Sequence, residues 1–192
     1  MKIKTNHKQI VKTPNNVKTF YCNVKKILIF KGTTNRKSLK INGLLTVKCH
    51  SQHLELLINN NEKLSNSSQK KILIMQKTTI SLIKQLIVES TSTICQSLKF
   101  VGVGYRAFPV KNFENQLLLL RLGYSHVIYV RVPRNTEISI LKSTKLFMFG
   151  CSYTQLKLTA AKIRFNKIPE PYKGKGILYE NEKIILKEGK KT

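Results

Sequence analysis

The sequence predicts an α+β protein: two similar tandem domains, each a small, mostly antiparallel sheet packed on a helix, with a basic extended C-terminal arm. Three observations predict it. Short apolar runs bounded by Gly, Asn and Pro fall into two groups, and each group is followed by one stretch of helical period. Beyond the second helix, Ile168-Pro169-Glu170-Pro171-Tyr172-Lys173-Gly174-Lys175-Gly176-Ile177 alternates stiff, cationic and Cβ-free positions, a pattern suited to lying against a polyanion.

Taken in order, residues 1–20 are basic and aperiodic and are expected to form a mobile arm. The first domain is placed at residues 21–97. Its strand-like run Lys26-Ile27-Leu28-Ile29-Phe30 ends at Gly32 in the polar turn Thr33-Thr34-Asn35-Arg36. Further strands are expected at 37–41, 44–48 and 53–58, with Asn42-Gly43 as a hairpin signal, because both residues tolerate positive φ. A polar loop spans 59–70. A helix is expected over 72–97, where Ile80, Ile83, Ile87 and Ile94 recur on one face and form core.

The second domain is placed at residues 98–168. Phe100 to Ala107 reads as a glycine-kinked strand with Tyr105 and Arg106 facing the domain edge, broken by Pro109. Leu117 to Leu122 turns at Gly123. In the next strand Ile128, Val130 and Val132 point one way and Tyr129 and Arg131 the other. Strands at 137–141 and 145–149 end at Gly150. Ser152-Tyr153-Thr154-Gln155 is a capping-box pattern opening a helix to about Asn166, whose apolar face is Leu156, Ala160 and Ile163, with Lys157 and Arg164 on another. Lys26–Gly32 and Lys145–Gly150 resemble each other faintly as a repeat. Residues 169–192 are the expected RNA-binding arm.

Charge narrows the function. The 192 residues carry 35 Lys and Arg against 9 acids, a net charge of +26; every acid is Glu, and none precedes Glu55. Such a field opposes folding until a polyanion neutralises it, and nucleic acid is the expected partner ahead of a membrane surface. The absence of Asp removes Walker-B, Asp-containing triad and EF-hand readings. Cys22, Cys49, Cys95 and Cys151 have no C-x-x-C spacing, and reduced thiols are expected. Met1-Lys2-Ile3-Lys4 leads into polar residues, so no secretory signal is expected, nor a membrane span. Abundant Lys, Ile and Asn with only three alanines point to an AT-rich, organellar type of gene, the mitochondrion first and a plastid or AT-rich bacterium as the alternative.

Gly102-Val103-Gly104-Tyr105-Arg106-Ala107, Leu122-Gly123-Tyr124-Ser125-His126, Ala160-Ala161-Lys162-Ile163-Arg164 and Pro169-Glu170-Pro171-Tyr172-Lys173-Gly174-Lys175-Gly176-Ile177 occur in the order and spacing of large-subunit ribosomal protein L-six. The chain resembles that family strongly over residues 98–180 and loosely before. The resemblance implies two related α+β domains in the large ribosomal subunit, with ribosomal RNA and neighbouring ribosomal proteins as partners. It also implies a place near the stalk base and the sarcin–ricin loop, where translation factors dock. Gly32-Thr33-Thr34-Asn35 replaces the family's usual Gly-Pro-Lys-Gly, and Ser152 and Lys157 replace an acidic cap and a glycine.

The expected RNA-binding residues are Arg106, Lys157, Arg164, Lys167, Tyr172, Lys173, Gly174, Lys175 and Gly176. The lysines and Arg164 would neutralise phosphates, Tyr172 would pack on ribose or base, and the glycines would let the main chain approach closely. Arg106 either touches RNA or pairs locally. No catalytic residue, cofactor, metal or small-molecule substrate is expected. Gly102 to Ala107 fits G-x-G-x-x-A but lacks the following helix and the distal acid of a dinucleotide site. Lys173-Gly174-Lys175-Gly176 lacks the remaining residues of a P-loop. Cys49-His50-Ser51-Gln52-His53 gathers soft ligands without the second cluster that a four-ligand zinc site needs. His126 is expected to make a structural hydrogen bond, and Glu170 to pair with neighbouring lysines. A DNA-compacting nucleoid protein is the rival reading, with an RNA-modifying enzyme behind it.

Overall fold

A computed structural model of the chain describes residues 8–58, 66–110 and 116–189. The first seven residues of the expected N-terminal arm, most of the polar loop after residue 58 and the last three residues lie outside them. The chain divides into two compact units between Thr93 and Ile94.

The first unit runs β1 (Gln9–Lys12), β2 (Lys18–Cys22), β3 (Ile27–Lys31), β4 (Arg36–Lys40), β5 (Leu45–Cys49), β6 (His53–Ile58) and α1 (Asn66–Thr91). Two three-stranded antiparallel sheets result, ordered β1-β6-β5 and β2-β3-β4. The alternation Leu28/Phe30, Leu45/Val47 and Leu54/Leu56 points apolar side chains into a core closed by Ile83 and Ile87 of α1.

Here the structure corrects three expectations. Residues 9–22 are not a mobile arm: Val11 pairs with Leu54 and is buried, and β2 pairs with β3. A four-residue strand with one inward side chain shows too little period to be read alone. Asn42-Gly43 does not join a hairpin, because β4 and β5 lie in different sheets. The amide of Leu45 donates to Asn42 O and that of Leu44 to Asn42 Oδ1, so the turn passes the chain from one sheet to the other. The helix lies about six residues earlier than expected. The hydroxyls of Ser90, Thr91 and Ser92 bond back to Ile87 and Val88 carbonyls, local bonding that competes with helix propagation. Ile94 belongs to the following strand.

The turn Gly32–Asn35 is fastened to that helix end. Thr34 donates to Ser90 O through its amide (3.2 Å) and its hydroxyl (2.9 Å), and the Thr33 hydroxyl donates to Thr91 O at 3.0 Å. These bonds satisfy carbonyls that a helix C-terminus leaves open. A Cβ on Gly32 would lie 2.0 Å from Ser90 O, so only glycine fits.

The second unit runs β7 (Ile94–Val101), β8 (Arg106–Pro109), β9 (Leu117–Arg121), β10 (Ile128–Arg131), β11 (Thr136–Lys142), β12 (Lys145–Gly150), α2 (Tyr153–Phe165) and β13 (Gly176–Tyr179). Its antiparallel sheets are ordered β10-β9-β8 and β11-β12-β7-β13. The strand order repeats the first unit element for element, β7-β12-β11 matching β1-β6-β5 and β8-β9-β10 matching β2-β3-β4. The counterpart of β3 is therefore β9, not the Lys145–Gly150 strand that the sequence suggested. Among the described strands β13 alone has no counterpart, and it pairs with the edge of β7 opposite β12.

Phe100–Ala107 is not one strand. β7 ends at Val101, and Gly102 (φ +152°) and Gly104 (φ +74°) turn the chain into β8. Tyr105 faces inward rather than toward the domain edge, and its ring fills a slot between two glycines. A Cβ on Gly102 would lie 2.8 Å from the ring, and one on Gly123 2.9 Å. The first two motifs thus share one packing function. The helix α2 buries Leu156, Ala160 and Ile163 as its spacing requires. Ser152 is its N-cap, but the hydroxyl meets Thr154 Oγ1 rather than a backbone amide, so the capping box does not form.

Candidate nucleic-acid interface

The segment after α2 is more ordered than an extended arm. Pro169 ends the helical run, and the chain then closes a tight loop: Glu170 N–H donates to Lys175 O and Gly174 N–H to Glu170 O, both at 2.9 Å. Ile177 N–H donates to Lys167 O at the loop base, and Lys187 N–H to Pro171 O as the last residues fold back. Gly174 sits at φ +68°, in the left-handed region. Gly176 packs on Pro169, where a Cβ would lie 2.5 Å from its Cα.

The glycines therefore serve the loop's own geometry. The Gly174 amide donates to Glu170 O, so this main-chain donor is engaged within the loop. Glu170 closes the loop through its backbone and has no ion pair among the described residues.

What the loop presents outward is cationic and flat. Lys173 is exposed, Lys175 half-buried, and Tyr172 has 54% of its surface open. Lys167 sits at the base, its ammonium 4.3 Å from the centroid of the Tyr124 ring, and the Tyr124 hydroxyl donates to Asn166 O at 3.1 Å. His126 stacks on Tyr124 at 5.7 Å and has no hydrogen bond among the described contacts. Between these groups lies an open depression of about 440 Å³, lined by Tyr105, Tyr124, Phe165, Asn166, Lys167, Ile168, Glu170 and Lys175.

Two of the expected cations are committed inward. Arg164 grips Glu182 with a fork, Nη2 to Oε1 at 2.5 Å and Nε to Oε2 at 3.1 Å, and lies over the Tyr179 ring. The hydrogen bond from Arg164 holds the Glu182 carboxyl below its usual range and raises the guanidinium in turn. Lys157 donates to Gln96 Oε1 at 2.6 Å and its ammonium also faces Tyr179. The shared face read from the sequence is real, but it clamps β13 and the turn after it instead of facing solvent. Arg106 is exposed on β8, opposite Arg121, with no ion pair among the described residues. Glu180 was not singled out from the sequence; it takes a short hydrogen bond from Ser97, and its backbone carbonyl accepts from Lys99 at 3.1 Å, fixing the far end of β13.

No family model matches the chain. Individual proteins do. It is 32% identical over 182 residues to the large ribosomal subunit protein uL6 of Mycoplasmoides gallisepticum, covering 95% of this chain and 93% of the relative. The chain belongs to the uL6 family of large ribosomal subunit proteins. The uL6 of Mycoplasma pneumoniae is 36% identical over 160 residues, 83% of this chain and 82% of the relative. The uL6c of Thalassiosira pseudonana is 41% identical over 110 residues, 57% of each. The uL6 family consists of structural RNA-binding proteins of the ribosome, not enzymes.

Proposed function

We propose that this protein is a structural constituent of the large ribosomal subunit, that its second unit holds ribosomal RNA, and that it sits near the stalk base and sarcin–ricin region where translation factors dock. The observation that carries the RNA contact is the closed loop 169–176, which spends its main-chain bonds inward while turning Lys173, Lys175 and Tyr172 outward. Lys167 and Arg106 extend the cationic surface, and Tyr172 offers its face to a ribose or base. Arg164, Lys157, Gly174 and Gly176 act one step behind, by holding that loop in shape.

Folded RNA presents phosphates and 2′-hydroxyls in a fixed arrangement, and a rigid loop meets it without losing the ordering entropy that a free tail loses. Amino-acid usage suited to an AT-rich genome, together with a plastid uL6c among the relatives, supports an organellar ribosome, with the mitochondrion as the proposed compartment.

Sucrose-gradient fractionation of organelle extracts with immunodetection tests this reading. The protein should stay in the large-subunit peak after a high-salt wash. Its absence from that peak, with comparable affinity for duplex DNA, would support a DNA-compacting role instead.

A further inference from the structure

We infer that His50, His53 and Glu55 on the first unit form a binding site for a divalent transition-metal cation of the zinc class. The β5–β6 hairpin builds it. His50 N–H donates to His53 O at 2.9 Å across the turn, and Thr13 N–H donates to Gln52 O at 2.9 Å, tying the turn to the chain after β1. The two imidazoles stand side by side, ring centroids 4.5 Å apart and 16° from parallel. Both Nε2 atoms face one oxygen, Glu55 Oε1, at 3.6 Å from His50 and 3.3 Å from His53.

Those separations match a metal polyhedron. With zinc–nitrogen and zinc–oxygen bonds of about 2.0–2.1 Å, the edges of a tetrahedron are about 3.3–3.4 Å. One ligand atom from each residue lies within 4.8 Å of the others, so rotating one exposed imidazole closes the remaining edge. The Glu55 side chain is only 12% exposed, and its Oε1 lies 2.7 Å from the Lys8 ammonium. One carboxylate oxygen and two imidazole nitrogens make a donor set that suits a borderline cation.

The Lys8 ammonium competes with an ion for that oxygen. Displacing this half-exposed ammonium sets the affinity, and water completes the fourth coordination position. The run Cys49-His50-Ser51-Gln52-His53 stops short of Glu55, which the hairpin brings beside both imidazoles.

Titration of the purified full-length protein with cobalt(II) alone, followed by visible d–d absorption and then competed with zinc(II), tests the site. One equivalent should bind with the intensity of a four-coordinate ion. His50→Ala and His53→Ala should each weaken binding by more than the roughly tenfold that loss of even an outer hydrogen-bond partner costs. Gln replacements at the same positions repeat the comparison with side-chain volume kept. Lys8→Ala should tighten binding several-fold. The proposal is overturned if the parent gives no saturable cobalt spectrum, or if the double variant His50→Ala/His53→Ala binds as tightly as the parent.

Discussion

Gly123 and Gly102 lie 21 positions apart yet answer to one ring. Each leaves out a Cβ that would meet Tyr105, and Gly123 also holds φ +73°. Gly123→Ala should therefore cost about 1–3 kcal/mol in urea denaturation, from strain and displacement of a buried aromatic ring together. The glycines were legible as a motif, but their reason was not, because the partner of a missing side chain is visible only in three dimensions. The same limit applies to Arg164. A sequence shows a cation on a helix face; it does not show Glu182 18 residues later closing on it. Because Arg164 depresses the Glu182 carboxyl, that pair favours the folded state above the unfolded carboxyl's pKa and loses its effect as pH falls through the lower folded value. Glu182→Gln should accordingly reduce the loss of stability between about pH 6 and pH 3, measured as the shift in urea midpoint. An unaltered pH dependence would mean that the pair contributes nothing.

At the scale of elements, period carried most of the reading. The central strands, the apolar face of α2 and the core isoleucines Ile83 and Ile87 sit where alternation and helical spacing place them. The errors collected where period is short or where a turn's partner is remote. β1 has four residues, and the C-terminal end of α1 is set by hydroxyls returning to the backbone and by a turn some 56 residues earlier. Thr34→Val removes the hydroxyl that reaches Ser90 O and should lower stability by about 1 kcal/mol, with faster amide exchange confined to the last turn of α1. Uniform exchange along the helix would show that the turn does not fasten its end. β13 was hidden for a related reason. Gly176-Ile177-Leu178-Tyr179 reads as the end of a basic arm until β7 offers it an open edge.

For the whole molecule, the net charge of +26 announced a polyanionic partner, and the two-unit repeat was legible as a pattern of strands followed by a helix, twice. Which cations face outward was not legible, since Lys157 and Arg164 look no different from Lys173 in one dimension. The structure sorts them by partner. If roughly eight phosphates are neutralised, the slope of log affinity against log salt should be about −6 to −7. Arg164→Ala, by loosening the clamp on β13, should weaken RNA binding while leaving that slope nearly unchanged. The most direct measurement is the same salt titration on Lys173→Ala/Lys175→Ala with large-subunit ribosomal RNA. The slope should flatten by about two units; a slope equal to that of the parent protein would take the loop off the RNA.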